Sequence, residues 1–163
     1  MDKKALVIID LQNDITKNYK DIIDSVNAAV ERAVSLGLYV VYIRHENVTA
    51  ATRTFKPGTK GAELVPELKV VSDHVFVKTK SSALTSEGFV SFIEQNGITG
   101  FVVCGADATA CVKSTCFNLR KAGHAVTVLS DCVTSYDKTK IPEMLAYYVS
   151  RGCTLKTSAE LCG

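Results

Sequence analysis

The feature that most constrains the fold is a series of short apolar runs separated by segments with helical periodicity. Continuous apolar runs are typical of strands that are covered on both faces, as in a parallel sheet. Six strands are predicted, at residues 5–9, 38–43, 74–78, 100–104, 125–129 and 153–155. Helices are predicted between them, at residues 22–34, 85–95, 109–121 and 142–149. This alternation predicts a three-layer α/β/α domain with a doubly wound, mostly parallel six-stranded sheet.

Chain order and handedness restrict how the strands are arranged. Right-handed crossovers leave few topologies, and of these we expect the doubly wound order 3-2-1-4-5-6. Its switch point lies between strands 1 and 4, and ligands bind there at the carboxyl ends of the strands. The sequence therefore predicts a binding site where the runs 5–9 and 100–104 end.

Composition narrows the class of protein. With 163 residues, 47% of them hydrophobic and 22% charged, the chain has the size and balance of one folded domain over residues 1–163. The net charge of +2 is small and the basic residues are scattered, so no nucleic-acid partner is expected. No apolar stretch approaches the roughly 20 residues that a membrane span needs, so no membrane partner is expected either.

The cysteines are expected to be reduced, although their number could suggest disulfides. The chain has six of them, yet the apolar run at residues 5–9 is too short for the core of a secretory signal peptide. We therefore expect a cytoplasmic protein with free thiols. Most of these cysteines are expected to be small buried apolar residues.

Cys111 differs from the other cysteines in its position. It follows a strand, Gly105 and a short turn, and it lies at the start of a segment with helical periodicity. A thiol on the first turn of a helix meets free N–H groups and the positive end of the helix dipole, which lower its pKa. The sequence therefore predicts a nucleophilic thiolate at the binding edge of the sheet.

Two charged residues end strands at the same edge. Asp10 directly follows the first apolar run, and Lys78 ends the third strand. Each has an ordinary alternative, because an acid at a strand end often caps a turn and a lysine there often lies on the surface. Lys78 is expected two strands from strand 1, about 10 Å away, a gap that a lysine side chain largely spans. With Cys111 they form an acid, a cation and a thiol able to support nucleophilic catalysis.

Five stretches, taken in their order and spacing, carry a specific resemblance. They are residues 5–14, 58–63, 77–83 and 105–112 and the pair Ser130-Asp131. In these stretches the chain resembles the isochorismatase-like cysteine hydrolases, the superfamily that includes nicotinamidases and N-carbamoylsarcosine amidase. The resemblance covers nearly the whole chain.

The resemblance assigns roles to individual residues. It implies a catalytic triad of Asp10, Lys78 and Cys111, in which cysteine attacks an amide-type carbonyl, aspartate transfers the proton and lysine stabilises charge. It also implies a cis peptide bond between Ala106 and Asp107, with the N–H groups of Asp107 and Cys111 forming an oxyanion site. Water then hydrolyses the thioester, and no cofactor is expected.

The chain departs from the family pattern at three places. Ala108-Thr109 replaces a usual Thr-Asp before the nucleophile, although Thr109 is still expected to cap the helix. The Asp-x-His metal motif of nicotinamidases is absent after strand 2, where Arg44-His45-Glu46 stands, so no metal is expected. Ile15 and Leu84 replace aromatic residues, which predicts a differently shaped pocket and argues against a stacked pyridine ring.

These observations predict a cysteine-dependent hydrolase of a small amide- or ureido-type substrate. Asn13 and Arg44 are predicted to contact the substrate, together with the long polar segment at residues 46–72. That segment and the resemblance also predict a homo-oligomer. The alternative is a non-catalytic or regulatory small-molecule-binding α/β module of the same fold, which a Cys111 thiol of ordinary pKa would favour.

Overall fold

The computed structural model describes residues 2–162, which form a six-stranded sheet between helices. The strands are β1 Lys3–Ile9, β2 Tyr39–His45, β3 Val75–Lys78, β4 Ile98–Ala106, β5 Ala125–Thr134 and β6 Thr154–Lys156. The helices are α1 Ile23–Ser35, α2 Glu87–Asn96, α3 Cys111–Lys121 and α4 Ile141–Ser150. The strands lie in the order β3-β2-β1-β4-β5-β6 with every neighbouring pair parallel, which confirms the predicted order. Within residues 2–162, no helix combines the length and apolar character of a membrane span.

Both faces of the sheet are covered, which explains why the central strand is apolar at nearly every position. In β1, Leu6 and Ile8 belong to one apolar core, and Val7 and Ile9 belong to the other. Helix α1 covers the first core, and helices α2, α3 and α4 cover the second. Because successive side chains of a strand point to opposite faces, a strand between two helical layers needs an apolar residue at each position.

Gly105 allows β4 to pass close to β1 where the site begins. It pairs with Ile9 and has a φ of +113°, a conformation that favours glycine. A Cβ atom at this position would lie 2.3 Å from the carbonyl oxygen of Ile9. A side chain at position 105 would therefore push the two strands apart directly before Asp10 and before the loop that leads to Cys111.

Strand β5 is longer than its apolar run predicts. It continues to Thr134, so the pair Ser130-Asp131 lies within the strand rather than after it. The carboxylate of Asp131 accepts hydrogen bonds from the N–H and the hydroxyl of Ser158, at 2.8 Å and 2.6 Å. In this structure the pair therefore anchors the C-terminal segment to the sheet.

The long connection between β2 and β3 packs against the segment that follows β1. Its regular structure includes a short 3₁₀ turn at Lys60–Ala62. The N–H of Val65 donates to the carbonyl oxygen of Leu11, and the N–H of Asp14 donates to that of Gly61, both at 3.0 Å. These bonds fix the connection beside the carboxyl edge of the sheet, close to Asp10 in the chain.

Candidate active site

Lys78 brings the predicted acid and thiol together. Its side chain is 0% exposed, and its Nζ lies 3.1 Å from Asp10 Oδ2 and 3.3 Å from Cys111 Sγ. A third neighbour, His45 Nδ1, lies 2.9 Å from the same nitrogen. Because parallel strands end at a common edge, residues that are distant in sequence converge there. One buried ammonium thus contacts a carboxylate, a thiol and an imidazole.

Asp10 is a buried carboxyl group directly after β1. Its backbone has a φ of +56°, and its N–H donates to the carbonyl oxygen of Ile43 at 3.0 Å. Oδ2 is bound by Lys78, whereas the buried Oδ1 has no hydrogen-bond partner among residues 2–162. Burial raises the pKa of Asp10, and the charge of Lys78 and an interaction with the Cys111 thiol only partly oppose that rise. A carboxyl group whose pKa is raised in this way is suited to accept a proton and to return it.

Cys111 is the first residue of α3 and follows the loop at residues 107–110. The peptide bond between Ala106 and Asp107 is cis, the geometry that the resemblance implies. The N–H groups of Asp107 and Cys111 donate no hydrogen bond within the described part of the chain. Free N–H groups on the loop that leads to a nucleophile can bind the oxygen of the carbonyl that the nucleophile attacks.

The carboxylate of Asp107 holds this loop together. Its Oδ1 accepts hydrogen bonds from the N–H and the hydroxyl of Thr109, at 2.8 Å and 2.9 Å. Its Oδ2 accepts from the Tyr19 hydroxyl at 3.0 Å and from the Tyr136 N–H at 2.9 Å. Burial raises the pKa of Asp107, but hydrogen bonds such as those from Thr109 and Tyr136 outweigh it and leave the pKa below its usual value. The prediction that Thr109 caps α3 is wrong, because the cap position is Ala110 and the Thr109 hydroxyl is bound to Asp107.

The thiol of Cys111 has a higher pKa than the sequence predicts. The pKa is raised to about 11, first by burial and then by the negative charge of Asp10, while the charge of Lys78 opposes the rise. The predicted lowering by the helix start is therefore wrong, because burial and a neighbouring carboxylate outweigh the helix dipole and the ammonium. A thiol with so high a pKa is mostly protonated near neutral pH, and the carboxyl group of Asp10 interacts with it.

Alkylation by iodoacetamide is expected to reveal this raised pKa. Only the thiolate reacts, so the rate at Cys111 is expected to rise about tenfold per pH unit from pH 8 to pH 10 and to level off near pH 11. Peptide mass spectrometry on samples quenched at successive times gives the rate at each cysteine. A plateau below pH 9 at Cys111 would contradict the raised pKa and indicate a stabilised thiolate.

Cys162 is an internal reference in the same experiment. It is exposed, and a hydrogen bond from Lys156 Nζ, 3.1 Å from its sulfur, lowers its pKa. Its alkylation rate is therefore expected to level off at a lower pH than that of Cys111. The buried Cys104 and Cys132 are expected to react slowly, because burial raises the pKa of both thiols.

Asn13 and Arg44 contact the long connection rather than the three central residues. Asn13 Nδ2 donates to the carbonyl oxygen of Lys60 at 2.8 Å, and Arg44 Nε donates to that of Ala62 at 3.0 Å. Arg44 also faces the carboxylate of Glu46, at 3.6 Å. These contacts fasten the connection to the ends of β1 and β2. Substrate binding by either side chain stays a prediction.

His45 is the neighbour of Lys78 that sequence reasoning missed. Strands β2 and β3 pair His45 with Lys78, which places the imidazole beside the ammonium. A histidine at a strand end is often structural, so residue type alone offered no reason to choose it. The available signal was its position, because β2 ends at the same edge of the sheet as β1 and β3.

Comparison with known proteins identifies the family. The family model of the isochorismatase domain matches residues 4–160. The chain belongs to the isochorismatase domain family. It is 29% identical over 157 residues to a probable inactive nicotinamidase of Arabidopsis thaliana, with 80% of each chain covered.

Solved structures similar to this isochorismatase-family chain share its fold. N-carbamoylsarcosine amidase of Thermoplasma acidophilum aligns with a TM-score of 0.86 and 23% identity, over 99% of both chains. Pyrazinamidase of Pyrococcus horikoshii in complex with zinc aligns with a TM-score of 0.84 and 22% identity, over 95% of this chain and 99% of that chain. At these identities the likeness establishes the fold alone.

The side chains beside the thiol do not fit a zinc site. Nδ1 of His45 is engaged by Lys78, and its Nε2 lies 2.8 Å from Asn47 Oδ1. In the described part of the chain, no group of three or more His, Cys, Asp or Glu side chains could hold a metal ion. Protein zinc sites use three or four such ligands. The imidazole of His45, at the end of β2, is therefore committed to the ammonium rather than to a metal.

Proposed function

We propose that this isochorismatase-family chain hydrolyses the C–N bond of a small amide- or ureido-type substrate through a thioester on Cys111. The observation that carries the proposal is the contact of buried Lys78 Nζ with both Asp10 Oδ2 and Cys111 Sγ, at 3.1 Å and 3.3 Å. Burying charged groups is costly, and a buried ion pair is weak grounds for stability. A thiol in contact with that ion pair is better explained by nucleophilic chemistry.

In the first step, Asp10 takes the proton of the Cys111 thiol while Sγ attacks the carbonyl carbon of the substrate. Because the proton moves within the buried group, the net charge of the three side chains and the bound substrate together does not change. Loss of the proton to solvent would instead add a negative charge to the buried site, which accords with the raised pKa of the thiol. Lys78 contacts both partners, so its positive charge stabilises whichever of them is negative.

The loop supplies donors for the tetrahedral intermediate. The N–H groups of Asp107 and Cys111 would bind the oxyanion, and one such donor contributes about 3–4 kcal/mol in other enzymes. The C–N bond then breaks, the leaving nitrogen takes the proton held by Asp10, and the acyl group stays on Sγ. In the second half, Asp10 takes a proton from water, whose oxygen adds to the thioester carbonyl. The C–S bond breaks, the sulfur recovers that proton, and the acid leaves.

The names of similar proteins support the choice of an amide substrate. The solved structures that share the fold include an N-carbamoylsarcosine amidase and a pyrazinamidase. The homo-oligomer and the cytoplasmic location remain predictions, which analytical ultracentrifugation and cell fractionation test directly.

A non-catalytic small-molecule-binding module is the second candidate. The similar Arabidopsis thaliana protein is described as a probable inactive nicotinamidase, which favours this alternative. The Ala108-Thr109 departure favours it less, because both residues are integrated into the loop. The N–H of Ala108 donates to the carbonyl oxygen of Thr134 at 2.8 Å, and Thr109 is bound to Asp107. The raised pKa of Cys111 also favours this alternative, because the thiol is less ionised than an ordinary cysteine at the same pH.

Nucleophile trapping tests the proposed function. The chain is incubated with a panel of small primary amides and ureido compounds, and ammonia release is measured with and without excess hydroxylamine. With an amide that is turned over, an acyl thioester is expected to partition to hydroxylamine, so that a hydroxamate replaces part of the acid. Turnover that yields only acid in the presence of hydroxylamine would contradict the thioester. Binding by calorimetry without turnover across the panel would favour the second candidate.

A further inference from the structure

Lys78 has three ammonium hydrogens and three acceptors around them. Asp10 Oδ2, Cys111 Sγ and His45 Nδ1 lie 3.1 Å, 3.3 Å and 2.9 Å from Nζ. An ammonium donates hydrogen bonds and accepts none, so Nδ1 of His45 must offer its lone pair. The imidazole thus takes the hydrogen that neither the acid nor the thiol uses.

A second hydrogen bond fixes the tautomer of His45. Its Nε2 lies 2.8 Å from Asn47 Oδ1, and Asn47 Nδ2 donates to the carbonyl oxygen of Thr54 at 3.0 Å. Because only the amide nitrogen can donate to a carbonyl, that bond orients Oδ1 toward His45. Nε2 therefore carries the imidazole hydrogen, and Nδ1 is free to accept from Lys78.

The position of His45 is also fixed by contacts of its backbone and of its ring face. The N–H of His45 donates to Gln12 Oε1 at 2.8 Å, and Gln12 Nε2 donates to the carbonyl oxygen of His45 at 2.8 Å. The ring of buried Phe55 meets the imidazole with 6.0 Å between centroids. With its backbone, ring and both nitrogens engaged, His45 has little freedom to move. A residue with so little freedom can hold the flexible end of the Lys78 side chain in one place.

We propose that His45 is a positioning residue that holds the ammonium of Lys78 in contact with Cys111 and Asp10. The catalytic meaning of that position rests on the proposed function, whereas the contacts themselves involve no substrate. Without the imidazole, one buried N–H of Lys78 loses its acceptor, and the ammonium is expected to shift toward another partner. The sulfur then loses nearby positive charge, so less of it is thiolate at a given pH.

The pH profile of Cys111 alkylation by iodoacetamide tests this inference on the whole chain. His45→Phe keeps a ring but removes both nitrogens, whereas His45→Asn keeps an acceptor close to the position of Nδ1. In His45→Phe the profile is expected to move up by about one pH unit, which lowers the rate at pH 9 about tenfold. In His45→Asn a shift of less than half that size is expected. The matched control is His74→Phe, whose ring packs against Tyr39 and Phe92, and it is expected to leave the profile unchanged.

Two results would overturn the inference: a His45→Phe profile that superimposes on the wild type, or equal shifts in His45→Phe and His45→Asn. A cooperative thermal transition by circular dichroism shows that each variant is folded. If His45→Phe does not fold, Asn47→Ala is used instead, because it removes the acceptor of the His45 Nε2 hydrogen. This variant is expected to shift the profile upward by a smaller amount, and the absence of any shift in it would also overturn the inference. Alkylation needs no amide substrate, so a clear His45 effect without hydroxamate formation would contradict the proposed function alone.

Discussion

Replacement of Cys111 by alanine is expected to abolish ammonia release from any amide that the wild-type chain hydrolyses. The loss is expected to be on the order of 10⁴-fold or more, because removal of a covalent nucleophile leaves only binding and the oxyanion donors. The fold is expected to persist, since the thiol is a small, half-buried group at the start of α3 rather than in its middle. Ammonia release under saturating substrate and urea unfolding of the same sample measure the two effects separately.

Cys162→Ser is the matched control for that experiment. Its thiol is exposed, has a lowered pKa and lies beside Lys156 rather than near the site, so this variant is expected to keep full activity. Two outcomes would contradict the assignment of Cys111: loss of turnover in Cys162→Ser, or turnover in Cys111→Ala within tenfold of the wild type. A Cys111→Ala variant that binds the amide without turning it over separates chemistry from recognition.

Sequence reasoning recovered the features that depend on chain order. Apolar runs without polar interruption predicted strands buried on both faces, and right-handed crossovers limited the possible orders of the sheet to a few that include the observed one. Given that order, Asp10, Lys78 and Cys111 had to approach one edge because each adjoins the carboxyl end of a parallel strand. The strand order alone therefore predicts that these three residues lie at the same edge of the sheet.

The remaining features depend on distances of a few ångströms that no pattern encodes. The pKa of Cys111 is decided by burial and by the charge of Asp10, which outweigh the helix start. His45 differs from an ordinary strand-end histidine only because its Nδ1 reaches Lys78. Asn13 points to the long connection because Lys60 offers a carbonyl acceptor there. Residue type and spacing alone could not predict the direction of the Cys111 pKa shift, the contact of His45 with Lys78 or the contact of Asn13 with Lys60.

Removal of the ammonium is expected to have the largest effect on stability. Lys78→Met leaves the carboxyl group of Asp10 buried without a counter-charge, which typically costs about 3–5 kcal/mol of the free energy of unfolding. Asp10→Asn combined with Lys78→Met removes both charges, and this double variant is expected to recover most of that loss. Neither variant is expected to release ammonia above background, since the double variant lacks the base as well as the cation.

The pH dependence of the free energy of unfolding shows whether Lys78→Met is destabilised by an unpaired carboxylate or by poor packing of the methionine. Burial already raises the pKa of Asp10, and the charge of Lys78 opposes that rise. Loss of the ammonium is therefore expected to raise this pKa further. A group whose pKa is raised by folding supports the folded state below its ordinary pKa, and that support is lost as the pH rises through the folded value. The deficit of Lys78→Met in urea unfolding is therefore expected to be larger at pH 8 than at pH 5, and the double variant is expected to show no such difference. Equal deficits for both variants at both pH values would mean that the methionine packs badly and that the charge of Asp10 is not what the ammonium offsets.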